Sequence, residues 1–177
     1  MRIVGGKYKG KRFSAPKNLP TRPTTDFAKE GLFNILQHQM NLENKYVLDL
    51  FAGTGNMSFE FASRGAEKVV AIEQNYRAVK FIATTAKTFD MPIDVYKNDV
   101  FKGISKVQYQ FDIIFADPPY KLKKLDALPQ LILDHKILKE DGMLIVEHGK
   151  EHSFENHPCF KEHRKFGNVN FTIFSYG

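Results

Sequence analysis

From Lys45 onward, short apolar runs alternate with stretches of helical period. Residues 46–51, 68–73, 93–96, 111–116 and 142–147 read as strands, each a run rich in Val, Ile, Leu, Phe or Tyr and too short for a helix. Residues 57–63, 76–88 and a segment near 125–134 read as the helices between them. Residues 160–166 and 169–176 read as a hairpin turning at Gly167-Asn168. Repeated βα units followed by a terminal hairpin predict an α/β fold: a doubly wound, mostly parallel, Rossmann-like sheet with a C-terminal antiparallel hairpin.

The first part of the chain is different. Residues 2–14 carry strand-like residues around Gly5-Gly6 and Gly10 and read as a small β-hairpin extension. Pro16, Pro20 and Pro23 exclude regular structure up to Thr24. Thr24, Thr25 or Asp26 then caps a helix whose apolar positions are Phe27, Leu32, Phe33, Ile35, Leu36 and Met40. The organisation expected is a basic hairpin arm over residues 1–23 and one compact domain over residues 24–177.

Charge sharpens this division. Residues 1–30 hold eight Lys or Arg against two acids, +6, so the 18 basic and 18 acidic residues of the remainder cancel. An excess confined to one end of the chain is the footprint of a polyanion-binding arm, with Arg2, Lys7, Lys9, Lys11, Arg12, Arg22 and Lys29 as its RNA-binding candidates. A chain of 177 residues buries a core without staples. Its single cysteine, Cys159, allows no internal disulfide, which fits a reducing, cytoplasmic setting. No signal-peptide h-region opens it and no apolar run has membrane-spanning length, so no membrane partner is expected.

Asp49-Leu50-Phe51-Ala52-Gly53-Thr54-Gly55 lies where the first strand of the alternating region meets a helix. Glycines there let backbone pass close to a ligand. Glu73 follows Gly53 by twenty residues, at the end of the next strand, where a carboxylate can accept from both ribose hydroxyls of a nucleoside. The pattern is no dinucleotide fingerprint, since Ser58 stands where the third glycine would be. Asp49 would repel a diphosphate and attract an ammonium. S-adenosylmethionine carries an ammonium and a sulfonium and no phosphate, so the charge logic favours it over NAD. Asp99 and Val100, after the third strand, are placed to meet the adenine amino group and ring face.

Asp117-Pro118-Pro119-Tyr120 follows the most apolar strand and belongs on the same carboxyl edge as the glycine loop. Two prolines remove two backbone donors, leaving carbonyls and a carboxylate, all acceptors. That suits an exocyclic amine, which can donate to the Asp117 side chain and the Pro118 carbonyl. Tyr120 offers a face for a base to stack on. His148, His152, His157 and Cys159 have spacings that match no standard zinc site, so no metal is expected. Lys121, Lys123 and Lys124 follow the turn, either as phosphate contacts or as a solvated helix start.

These motifs together resemble the RsmD family of 16S ribosomal RNA guanine-N2 methyltransferases. The matching pieces are Arg2-Ile3-Val4-Gly5-Gly6, Arg22-Pro23-Thr24-Thr25-Asp26, Glu30-Gly31-Leu32-Phe33-Asn34, the segment from Leu48 to Gly55, and Asp117-Pro118-Pro119-Tyr120. The resemblance implies a seven-stranded methyltransferase sheet, an RNA-touching N-terminal extension, S-adenosylmethionine as donor and a guanine N2 amine of 16S rRNA, naked or in the small ribosomal subunit, as acceptor. It implies catalytic roles for Asp117, Pro118, Pro119 and Tyr120, and a cofactor site of Asp49, Phe51, Gly53, Thr54, Gly55, Glu73, Gln74, Asp99 and Val100. Where that family often has two arginines at the helix start, this chain has Asp26-Phe27-Ala28-Lys29-Glu30. Nothing demands more than a monomer. The alternatives are an amino-methyltransferase acting on DNA adenine or a protein glutamine amide, and a non-catalytic RNA-binding factor in ribosome assembly.

Overall fold

A computed structural model of the chain describes residues 1–19 and 23–177. The elements run α1 (Asp26–Gln39), β1 (Tyr46–Leu50), α2 (Asn56–Ser63), β2 (Lys68–Glu73), α3 (Tyr76–Thr88), β3 (Ile93–Lys97), α4 (Val100–Ile104), β4 (Phe111–Ala116), a 3-10 turn (Leu125–Ala127), α5 (Leu128–Asp134), β5 (Leu138–His148), β6 (Phe160–Phe166) and β7 (Val169–Phe174). They build one seven-stranded sheet of order β3-β2-β1-β4-β5-β7-β6. β1 to β5 pair in parallel, and β7 runs antiparallel to both β5 and β6. The doubly wound sheet with its terminal hairpin is therefore as expected.

Two apolar layers cover the sheet. On one face, Leu32, Phe33 and Leu36 of α1, Phe59 and Phe61 of α2 and Ile82 of α3 pack with Val47, Phe115 and Ile145. On the other, Val100 and Ile104 of α4, Leu125, and Leu128 and Ile132 of α5 pack with Leu48, Ile114 and Val146. Residues alternate between these layers along β1, β4 and β5, as the two-residue period of a strand requires. Strand order reverses between β1 and β4, each parallel to the other yet wound outward in opposite directions. A crevice opens at such a switch point, beyond the carboxyl ends of the strands.

The N-terminal hairpin is less regular than expected and far more embedded. Its strands are reduced to one antiparallel bridge, Arg2 with Arg12. Ile3 and Phe13 are buried in the same layer as α1, α2 and α3, with the Phe13 ring 5.0 Å from that of Phe59. The Val4 and Gly5 amides donate to the Glu60 carboxylate at 3.0 Å, and the Lys7 and Tyr8 amides to Ser63. Gly6 has φ +81° and lies so close to Ser63 that a β-carbon would collide with its carbonyl. The arm is thus laid along the outside of α2. Thr25, of the three candidate caps, takes the cap position of α1, accepting from the Ala28 amide at 3.2 Å.

Candidate active site

β1 and β4 place the two motifs side by side. Leu50 pairs with Ala116 at the last register position, and the Asp117 amide donates to the Leu50 carbonyl at 3.4 Å. The D-P-P-Y turn and the glycine loop therefore leave adjacent strand ends. Phe51 takes a left-handed conformation, φ 58°, which ends β1 one residue earlier than expected and turns the chain sharply into the loop. Such backbone is rare for a bulky residue and is held only where its surroundings fix it. Here the Ala52 amide is tied to the Ile72 carbonyl of β2 at 3.1 Å, and the Phe51 ring stands edge-on to Phe101, 6.4 Å away. Gly55, φ +85°, begins α2. A β-carbon there would lie 2.8 Å from Ile82, so the turn needs glycine both for its dihedral and for its closeness to α3.

Glu73 ends β2 beside this loop. Its Oε1 accepts the Gly53 amide at 2.9 Å and its Oε2 the Asn75 amide at 2.7 Å. Two backbone donors fix the carboxylate while each oxygen keeps a lone pair for a further donor. Asn75 in turn caps α3, and Gln74 between them is exposed. Beyond β3, Asp99 caps α4 by accepting from Lys102, and Val100 is buried in the second apolar layer. Thr54 is buried, its hydroxyl 3.7 Å from the Met1 sulfur. The stretch from Asp49 to Gly55 contains no Lys or Arg, and the Gly53 amide is already engaged by a carboxylate. This donor set suits a cationic, phosphate-free nucleoside and not a diphosphate.

Asp49 lies deeper than its sequence position suggests, 1% exposed beneath the start of α2. The Ser58 hydroxyl donates to its Oδ2 at 2.6 Å. Burial raises its pKa to about 7, against the pull of the Ser58 bond, with the nearby Glu73 charge raising it further. An ammonium brought near it would restore the ionised form. At the β4 end Asp117 is half-buried, Pro118 buried, Pro119 exposed and Tyr120 half-buried.

Two expectations need correction or division. Lys29 does not face RNA. It is fully buried, and its ammonium donates to the Arg2 carbonyl at 2.6 Å and Asn56 Oδ1 at 2.8 Å and pairs with Glu60 at 3.3 Å. Those partners use all three of its protons, and burial lowers its pKa, against the opposing pull of Glu60. The basic arm is split. Arg2 stays near the loop and pairs with Asp26 at 2.6 Å, whereas Lys7, Lys9 and Lys11 gather at the other end of α2. There Lys11 sits over the Phe89 ring at 3.8 Å and the Tyr8 hydroxyl donates to the Phe89 carbonyl. An eight-residue helix is roughly 12 Å long, so the lysines flank the crevice at a distance. Arg12 is exposed at the hairpin's return, and Arg22 lies outside the described residues.

The histidines after β5 are held by hydrogen bonds. His148, whose burial lowers its pKa, lies between the Gly149 carbonyl and the Thr172 hydroxyl, and His152 meets Asp126. Among the described residues no three His, Cys, Asp or Glu side chains converge as a metal site, and no helix is long and apolar enough to cross a membrane. A cleft of about 820 Å³ lies at the amino ends of β4 and β5, lined by Gln110, Leu138, Gly142 and Tyr176 among others. It includes no residue of either motif and sits at the opposite edge of the sheet, so size alone does not make it the site.

Sequence reasoning missed the span above β4. Thr24 joins the start of α2 to the end of β5 through Asn56 and Glu147. A threonine before a helix signals a cap and nothing of this reach.

The chain is 36% identical to the YlbH protein of Bacillus subtilis over 85% of its own length and 84% of that protein. It is 29% identical to the ribosomal RNA small subunit methyltransferase D of Escherichia coli, covering 90% and 80% of the two chains. The solved structure of yhhF from Escherichia coli superposes with a TM-score of 0.86 at 24% identity, over 98% and 96% of the two chains, and shows the same fold. The family model described as conserved hypothetical protein 95 matches residues 1–175, and the chain belongs to that family, the family of the RsmD proteins.

Proposed function

We propose that this protein transfers a methyl group from S-adenosylmethionine to the exocyclic N2 amine of a guanine in 16S ribosomal RNA. The observation that carries the reading is the adjacency of the two strand ends: the Asp117 amide bonded to Leu50, and the Gly53 amide bonded to Glu73. One crevice thereby holds a nucleoside-binding carboxylate and an acceptor-only turn. The relative from Escherichia coli bears the name of a small-subunit rRNA methyltransferase, which agrees with this acceptor.

S-adenosylmethionine supplies an electrophilic methyl carbon on a sulfonium. The chain's own residues bind and orient. Glu73, fixed by two amides, accepts from ribose hydroxyls, and Asp49 ionises opposite the ammonium. Asp117 and the Pro118 carbonyl would accept hydrogen bonds from the two N–H groups of the guanine amine and draw its lone pair out of the ring, with the Asp117 carboxylate at hand for the proton that the nitrogen sheds on methylation, while Tyr120 would cover the base. Rate comes from positioning and fixed dipoles. Arg2, Lys7, Lys9, Lys11 and Arg12 meet RNA phosphates outside the crevice.

The test is mass mapping of modified nucleosides in 16S rRNA from cells with and without the protein. Loss of one N2-methylguanosine, restored by the wild-type gene and not by Asp117→Ala, is the expected result. An unchanged map would overturn the acceptor.

A further inference from the structure

Phe27 is 67% exposed. The other strongly exposed large apolar side chains among the described residues, Tyr46, Tyr76, Tyr96, Tyr109 and Tyr176, are all tyrosines, whose hydroxyls suit them to water. The core does not ask for an aromatic here either. The inward face of α1 is Ala28, Lys29, Leu32, Phe33 and Leu36, and Phe27 lies off it.

Its place is defined from two sides. Thr24, three residues earlier, is tied to Glu147 near the carboxyl end of β5 and to Asn56 beside the glycine loop, so the first turn of α1 lies at the rim of the crevice. Phe166 ends β6 at that same edge, and its ring stands edge-on to Phe27, centroids 5.9 Å apart and planes at 84°. Phe166 is itself wedged. It packs on Phe171 at 6.2 Å and lies so close over Gly31 that a β-carbon there would overlap its ring. Phe27 is therefore braced before any ligand arrives, which lowers the ordering cost of binding. Next to the pair, Arg2 is spent on Asp26, the residue before Phe27, and Lys165, the residue before Phe166, is exposed.

An exposed, braced aromatic is the usual platform for an unpaired nucleobase, since every base has a stacking face. We propose that Phe27 stacks an unpaired base of the RNA next to the guanine held at Asp117. The inference rests on the RNA acceptor proposed above and adds the residue that grips a neighbouring nucleotide.

The chain contains no tryptophan, so Phe27→Trp installs a single indole at the platform. In titrations with unmodified 16S rRNA transcript, and separately with an unstructured oligoribonucleotide, its emission is expected to be quenched at saturation with affinity near wild type. Phe27→Leu keeps an apolar contact to Phe166 without a flat ring. It is expected to weaken RNA binding by about tenfold or more, with the salt dependence and the affinity for S-adenosylhomocysteine unchanged. Unquenched indole emission with both RNAs, or wild-type RNA affinity in Phe27→Leu, overturns the platform. Quenching by RNA in a protein that methylates no 16S guanine leaves the platform standing and removes the proposed acceptor. Methyl transfer that is indifferent to Phe27→Leu does the reverse.

Discussion

Thr24 donates from its hydroxyl to Glu147 Oε1 at 2.7 Å, beside the end of β4, which Asp117 follows. Its carbonyl accepts from Asn56, at the start of α2, at 3.2 Å. In the sheet order, β4 lies between β1 and β5, so this one residue spans the strand ends on either side of the D-P-P-Y turn. Both partners are buried, and a buried carboxylate deprived of a donor loses more than an exposed one would. Thr24→Val should destabilise by about 1–3 kcal/mol in urea unfolding, and Thr24→Ser, which keeps the hydroxyl, by much less. Equal losses in the two variants would assign the residue to packing alone.

Asp117→Ala tests the division of labour at the crevice. In the proposed site Glu73 and the glycine loop hold the cofactor without help from the β4 turn, so S-adenosylhomocysteine affinity by calorimetry should stay within about twofold of wild type. Methyl transfer should fall by about a hundredfold or more, the scale on which a preorganised charge-stabilising contact acts. A parallel loss of cofactor affinity would place Asp117 in the cofactor site instead.

Asp49 gives the site a pH signature. Its folded pKa, raised from 3.8 to about 7, means that between those values the folded state holds a proton the unfolded state has released. Stability from this group is present at low pH and is lost as pH rises through that interval, by up to about 1.4 kcal/mol per unit. Asp49→Asn should flatten the fall, measured as urea midpoints from pH 5 to 8. An ammonium-bearing ligand prefers the ionised form, so cofactor affinity in the wild type should climb toward pH 8, by up to about tenfold per unit below 7. The Asn variant should show a level profile.

The sheet was legible because its strands are dense apolar runs, buried by helices on both faces, and such runs need no partner to be recognised. Boundaries failed where backbone pairing alone extends an element. β5 starts at Leu138, ahead of polar Lys139, Glu140 and Asp141, because Leu138 pairs with Phe111. α4 has five residues, too few for a period. The candidate crevice was legible through Gly53, Glu73 and Asp117, whose spacing follows the βα repeat. Long-range polar structure was hidden. Nothing near Lys29 in sequence announces Glu60, thirty-one residues on, and a cationic arm reads as free when Ile3 and Phe13 anchor it in the core.

Lys29 and the arm lysines now make opposite predictions from the same charge. Lys29→Met leaves Glu60 buried without the ammonium, though Arg64 and the Val4 and Gly5 amides remain. Breaking a buried pair from one side costs about 3–5 kcal/mol, so thermal and urea stability should drop sharply. The slope of log RNA affinity against log salt should hold in whatever fraction stays folded, because the residue never meets a phosphate. Replacing Lys7, Lys9, Lys11 and Arg12 with glutamine should barely move stability. It should flatten that slope by about 0.7–0.9 for each phosphate contact removed. Since those lysines stand at the far end of α2 from Asp117, kcat on saturating RNA should persist while KM rises with salt. A fall in kcat at low salt would mean that the arm does more than hold RNA and reaches the geometry of the crevice itself.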